Sequence, residues 1–206
     1  MKKILVFDFD GTIADSKRLY INMIYSSLLE HSLIYPKSHI TRALGPKLEI
    51  TLNNINKFSP KLLQKLKKKI NSDITKKAKS LKLCPYANET LKRLHENNKI
   101  FLLTNSSGKF VRQVLRYNKI LRYFSRLYYA ENFSSKEQAI KSIAGKYKTK
   151  IKDVIYIADK VSDVKIARNV GCRIIISLAC SWDKNKLKGK NYTISSLNQL
   201  ADALSK

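Results

Sequence analysis

The sequence predicts an α/β protein: a parallel sheet covered by helices on both faces, with a smaller all-helical unit inserted near its start. Two observations carry this expectation. Short apolar runs that end in polar residues alternate with segments of helical period from about residue 84 onward, the pattern of parallel strands joined by crossover helices. Between about residues 15 and 83 the strand-like runs stop and only helical periodicity remains. A chain of 206 residues with 44% apolar content is large enough for one sizeable core plus such an insert.

The predicted strands, in order, are ILVFDFD (4–10), IFLLTN (100–105), LYYAEN (127–132), VIYIAD (154–159) and RIIIS (173–177). Helical periodicity covers 86–96, 109–117, 136–147 and 163–169. Within the insert, Leu19, Met23, Ile24 and Leu28 form one apolar stripe. Leu62, Leu63, Leu66, Ile70, Ile74, Ala78 and Leu81 form a longer one, and Lys65, Lys67, Lys68 and Lys69 between them read as solvated faces. Gly45-Pro46 and Ser59-Pro60 mark breaks, the second placing Pro at a first helical position. Cys84-Pro85 marks the return to the sheet, giving a core of 1–14 and 84–206 and a helical unit of 15–83.

Composition sets further bounds. The apolar run at the start is cut by Asp8 and Asp10, too short for the core of a secretory signal, and no stretch approaches the roughly 18 apolar residues of a membrane span. Cys84, Cys172 and Cys180 form no C-x-x-C pair, which favours reduced thiols and a cytoplasmic or other reducing compartment. His31, His39 and His95 are scattered and read as satisfied or surface histidines. The charge is unusual: 41 Lys+Arg against 15 Asp+Glu leaves +26. Acid depletion contributes as much as added lysine, since charged residues total an ordinary 27%. Five surviving acids (Asp8, Asp10, Asp15, Asp159 and Asp163) nevertheless sit in two short segments.

Carboxylates at the end of an apolar strand are costly without a cation or donors to meet them. In such sheets ligands bind beyond the carboxyl ends of the strands, where Asp8/Asp10, Thr104/Asn105 and Asp159 could all converge. The stretch DFDGTIADS resembles the first motif of the haloacid dehalogenase superfamily, in its phosphatase branch, which implies a Rossmann-like core with an inserted cap. The resemblance implies that Asp8 is a nucleophile forming an aspartyl-phosphate, and that Asp10 is general acid and base, its main-chain carbonyl a magnesium ligand. Gly11 would permit the backbone's sharp departure. Thr104 matches the second motif, with Asn105 beside it, both toward phosphate oxygens. Lys136, ahead of a helix in SSKEQAI, is assigned as the third-motif lysine, although the family's usual Lys-Pro is absent. ADKVSD resembles the fourth motif, with Ala158 in place of the usual glycine. There Asp159 would ligate Mg2+, and Asp163 would ligate through water or orient Lys136.

RALGPKLEITL resembles the cap loop of relatives so built, making Arg42, Gly45 and Lys47 candidate leaving-group contacts, with a plain helix break as the alternative. The expected function is magnesium-dependent hydrolysis of a small phosphorylated metabolite, similar to phosphoglycolate phosphatases. Alternatives are a phosphosugar mutase of the same fold, a nucleic-acid end phosphatase, and a basic nucleic-acid-binding protein retaining the fold. The mutases usually carry Asp-Gly-Val where this chain has Gly11-Thr12. Spread evenly, the charge argues for incidental polyanion binding more than a nucleic-acid stripe, residues 15–83 carrying a net +11 of the +26.

Overall fold

The structure, a computed structural model, describes residues 2–45 and 47–205. Its elements run β1 (Lys3–Phe7), α1 (Lys17–Leu29), α2 (Lys37–Ala43), α3 (Leu48–Ile55), α4 (Pro60–Lys76), α5 (Ala87–Leu94), β2 (Asn98–Leu103), α6 (Gly108–Tyr117) and β3 (Arg126–Tyr128). Then follow α7 (Lys136–Lys146), β4 (Val154–Ala158), α8 (Val161–Val170), β5 (Arg173–Ser177), α9 (Lys184–Leu187), β6 (Thr193–Ile194) and α10 (Leu200–Ser205). The strands form one parallel sheet in the order β3-β2-β1-β4-β5-β6.

Side chains alternate across this sheet, so each strand feeds two cores. Leu5, Phe7, Ile100, Leu102, Ile155 and Ile157 face a cluster that continues through Val111, Val114 and Leu91 into Ile24, Leu28, Leu66, Ile70 and Ile74 of the inserted helices. Ile4, Val6, Phe101, Leu103, Val154, Tyr156 and Ala158 face the other cluster, closed by Ile140 and Ile143 of α7 and Val164 and Ala167 of α8. Because β1 is paired on one side with β2 and on the other with β4, a crevice opens at its carboxyl end, the position where such sheets bind ligands.

The predicted run 127–132 is corrected: β3 ends at Tyr128, and Ala130–Asn132 forms a short 3-10 turn. The Asn132 side chain accepts from the Tyr129 N–H at 3.0 Å, so a local cap replaces strand pairing. Likewise β1 ends at Phe7; the Asp8 N–H still bonds to Ile157, after which the Phe9 carbonyl accepts from Ile13 and Ala14 and turns the chain out of the sheet. Ser59 caps α4 through the Leu62 N–H and Pro60 starts it, as the sequence indicates. Pro46, read as part of the other break, lies outside the described residues. The α4 lysines are not all solvated: Lys67 bonds Glu49 of α3, and Lys69 reaches Glu30 and Asp73, tying the inserted helices together.

The chain leaves the sheet through residues 13–15 and returns through 82–84, and these two segments pair antiparallel. Ala14 bridges Leu83, the Asp15 N–H donates to Lys82, and the Cys84 N–H donates to Ile13. Among the described residues no helix is long and apolar enough to cross a membrane.

Candidate active site

Strand register brings the predicted residues together. With Phe7 level with Leu102 and Ile157, the residues just beyond β1, β2 and β4 are Asp8, Thr104 and Asp159, and each lies at the same rim of the sheet. Asp8, Asp159 and Asp163 present carboxylate oxygens within 4.8 Å of one another, all buried. Three anions so placed repel strongly in a low-dielectric setting.

Lys136 answers part of that charge. Although it is the first residue of α7, its side chain is only 7% exposed because it turns inward. Its Nζ donates to Asp163 Oδ1 at 3.1 Å and to the Tyr156 hydroxyl at 2.7 Å, and stands 3.0 Å from Asp8 Oδ2 in an ion pair. Tyr156 in turn donates to Asp163 Oδ1 at 2.8 Å. Burial alone would depress the ammonium's pKa, but Asp163 and Asp8 outweigh it and hold the lysine charged. Desolvation pushes the Asp8 carboxyl up to about 6 against the opposing pull of Lys136. Burial also raises Asp159 well above the usual carboxylate range, reinforced by Asp8 and Asp163 and opposed by Lys160.

Asp10 belongs to a second network. Its Oδ1 accepts from Ser16 at 2.6 Å and its Oδ2 from Ser106 at 2.5 Å. Since Ser106 gives its one proton to Asp10, the Tyr20 hydroxyl, 2.6 Å away, is the donor to Ser106. Asp10 is therefore held by residues from the sheet's loops and from the first inserted helix.

Gly11 fits only as glycine. Its φ is +78°, and a Cβ there would stand 2.2 Å from Asp159 Oδ2. Ala158 sits in regular strand pairing opposite Ile176, fully buried, so alanine is accommodated where the resembling motif has glycine. Thr104 is fully buried and its Oγ1 accepts from the Ser106 N–H at 3.0 Å, while Asn105 lines the small cavity with Asp8, Asp10, Lys136 and Asp163. Gly45 borders a second small cavity against Asp10, Asn105 and Ser106, together with Tyr20, Leu44 and Thr51 from the inserted helices. Arg42 lies farther out in a larger cleft, and Lys47 heads α3 with an exposed side chain that lines none of these cavities.

Several contributors escape sequence reading: Ser16, Tyr20, Ser106, Tyr156, Lys160 and Trp182. The Trp182 N–H donates to Asp159 Oδ2 at 2.9 Å, and Ser181 donates to the Asp159 carbonyl. Lys160 Nζ stands 3.7 Å from the Trp182 ring centroid, a cation–π contact. Ser16 and Ser106 adjoin the motifs and could have been suspected from that; the loop carrying Trp182 has no signal of its own.

The donor set suits a hard divalent cation. Asp159 Oδ1 is buried and has no hydrogen-bond partner among the described residues, and Asp159 belongs to the three-carboxylate cluster whose charge Lys136 only partly offsets. Asp10's carboxylate is engaged with Ser16 and Ser106 and is not in that cluster.

An open parallel sheet that gathers three buried aspartates and a lysine at its switch point offers a site suited to a divalent cation and an anionic ligand. The chain belongs to the haloacid dehalogenase-like hydrolase family, whose model matches residues 5–177. It is 24% identical to the phosphoglycolate phosphatase of Vibrio parahaemolyticus over 98% of this chain and 93% of that one. A predicted phosphoglycolate phosphatase from Haemophilus somnus superposes with a TM-score of 0.86 at 16% identity, covering 98% of each chain. CbbY from Rhodobacter sphaeroides, solved with phosphate, gives 0.82 at 13% identity over 97% of this chain and 96% of its own. This chain is accordingly an enzyme of that family, and its sequence relatives are phosphatases.

Proposed function

We propose that this enzyme is a magnesium-dependent phosphomonoester hydrolase that works through an aspartyl-phosphate on Asp8. Phosphoglycolate, named for its sequence relatives, is the first metabolite to test. The observation that carries the reading is the pairing of a cation-bound carboxylate, Asp8, with a neighbouring carboxylate oxygen on Asp159 that has no partner.

In the first step an Asp8 oxygen bonds to phosphorus as the ester P–O bond breaks, and Asp10 gives a proton to the departing alkoxide. In the second, Asp10 takes a proton from water, whose oxygen attacks phosphorus; the Asp8–phosphorus bond breaks and phosphate leaves. Lys136 faces the developing charge on the phosphoryl oxygens while keeping Asp8 oriented, and its own bonds to Asp163 and Tyr156 fix its position. Ser16 and Ser106 hold both oxygens of Asp10, and Tyr20 supports Ser106 from the helical side. Asp8, the Asp10 carbonyl, Asp159 and Asp163, directly or through water, would hold Mg2+. When bound, the ion supplies charge neutralisation for phosphoryl transfer and brings the buried carboxylates to their ionised form.

Residues 15–83 act as a cap whose paired connections at 13–15 and 82–84 serve as its hinge, and the small cavity that Tyr20 and Thr51 line together with Asp10 supports a water-excluding closed state. Acid quench during turnover followed by peptide mass spectrometry should find phosphate on Asp8. Phosphate on another residue, or steady turnover with none trapped at Asp8 by quench or by hydroxylamine, would refute the covalent step.

A further inference from the structure

Although the positive charge is spread along the chain, part of it lies where it bears on substrate choice. A cleft of about 630 Å³ opens beside the small cavity holding Asp8 and Asp10, and Lys160 and Ser162 line both. A phosphoester seated on Asp8 would therefore extend its leaving group into this cleft. Its walls carry Lys17 and Arg42 from the inserted helices and Lys160, Lys184 and Lys186 from the sheet side, against one acid, Asp183.

That acid does little to offset the five cations. Asp183 Oδ2 accepts from the Val161 N–H at 3.0 Å, and only Lys186 comes near it, at 4.0 Å from Oδ1. Lys160 rests on the Trp182 ring, between the cleft and the Asp8 and Asp159 charges, and Lys17 donates to the neutral Trp182 carbonyl at 3.0 Å. Arg42 and Lys184 have no acidic partner among the described residues and are exposed. Cations that outnumber the acids of a cleft five to one repel each other, and an anion of matching size relieves that repulsion.

We propose that the cleft binds a polyanionic leaving group: the preferred substrate is a small phosphomonoester that carries at least one further phosphate, such as a sugar or nucleoside bisphosphate. This rests on the phosphatase reading above and narrows it. A two-carbon acid would engage one or two of these cations and fill a small part of the space, whereas a phosphorylated sugar or nucleoside has the dimensions of an ordinary ligand site of this volume. The second phosphate would lie between Arg42 and the Lys184/Lys186 turn, with Lys160 between the two phosphates.

The test uses the full chain with Mg2+ and matched pairs: fructose 6-phosphate against fructose 1,6-bisphosphate, and adenosine 3′-monophosphate against adenosine 3′,5′-bisphosphate, with 4-nitrophenyl phosphate and phosphoglycolate as references. If each exposed cation contact is worth a factor of about two to five, three of them give the bisphosphates roughly tenfold or more in kcat/KM, chiefly through KM. The ratio within each pair should shrink as salt is raised from about 50 to 300 mM, and should fall toward one in Lys184→Gln/Lys186→Gln. Hydrolysis of the aryl phosphate with bisphosphates no better than monophosphates would overturn the proposal and leave the phosphatase reading standing. If no ester is hydrolysed, the phosphatase reading fails separately. Calorimetric titration of the same pairs then decides the cleft: tighter bisphosphate binding supports it, and equal binding overturns it.

Discussion

Replacing Lys136 with methionine removes the ammonium from Asp8 and Asp163 while keeping most of the side-chain volume. Both carboxylates are buried, and Lys136 is the cation bonded to each at 3.0 and 3.1 Å. Removing one partner of a buried pair costs about 3–5 kcal/mol. Titration sets a second scale. Asp8, already raised to about 6 by burial, can take up a proton instead, which costs about 1.4 kcal/mol beyond the parent at pH 7 and almost nothing at pH 5. The sign follows from the proton count. In the variant the folded carboxylate has the higher pKa, so the native state binds more protons than the unfolded one near neutrality. The deficit is therefore full above the folded pKa and disappears as pH falls to the unfolded value. At about 2–4 °C per kcal/mol for a chain of this size, the variant in EDTA should melt at least roughly 3–6 °C below the parent at pH 7 and within about 1 °C of it at pH 5. Paired calorimetric or circular-dichroism melts at the two pH values measure both numbers. A deficit at pH 7 below about 1 kcal/mol, or one equal at pH 5 and pH 7, would refute the assignment of Lys136 as the counter-charge of this cluster.

Other expectations follow from the same geometry. Gly11→Ala places a methyl 2.2 Å from Asp159 Oδ2 at a positive φ, so it should lose about 1 kcal/mol or more of stability and at least a hundredfold in kcat/KM, read from melts and steady-state rates. Ser106→Ala leaves Asp10 Oδ2 without its donor; losing a hydrogen bond worth about 0.5–1.5 kcal/mol should lower kcat some two- to tenfold, and unchanged kcat would show that Ser106 does not position Asp10. Saturating Mg2+ should raise the melting temperature, with about 2.7 kcal/mol gained at a hundredfold excess over Kd, and Asp159→Asn should abolish most of the gain. Because burial raises the Asp8 carboxyl to about 6, the cation-free fold loses up to about 3 kcal/mol between pH 4 and pH 7, so the Mg2+ gain should be larger at pH 7 than at pH 5.

Much of this architecture is legible in the residues because apolar period and polar strand ends report the same thing. VIYIAD gives both a buried strand and the carboxylate beyond it, and the structure places Val154–Ala158 in the sheet with Asp159 at its rim. Less legible are features set by tertiary contact. LYYAEN looks like a strand on composition, yet Asn132 caps a turn that ends the pairing after Tyr128. The two-residue strand Thr193–Ile194 is too short to register as a period, and its place is set by pairing with β5. Lys136 illustrates the limit of motif reading: one lysine among many, it is distinguished by burial against two aspartates, which the sequence does not display. Tyr156 looks like ordinary strand filling, and only the register shows its hydroxyl meeting Lys136 and Asp163. Lys47 stands where the cap-loop resemblance puts a leaving-group contact, but its side chain points to solvent, while Lys160 and Trp182, carried by the sheet, border Asp10.

The most direct test of the central claim is the hydrolysis of 4-nitrophenyl phosphate by the intact protein and by Asp8→Asn, each with Mg2+ and with EDTA. The account predicts turnover that needs the metal and falls at least about a thousandfold in a variant that remains folded. Turnover that survives either EDTA or the loss of the Asp8 carboxylate would contradict it.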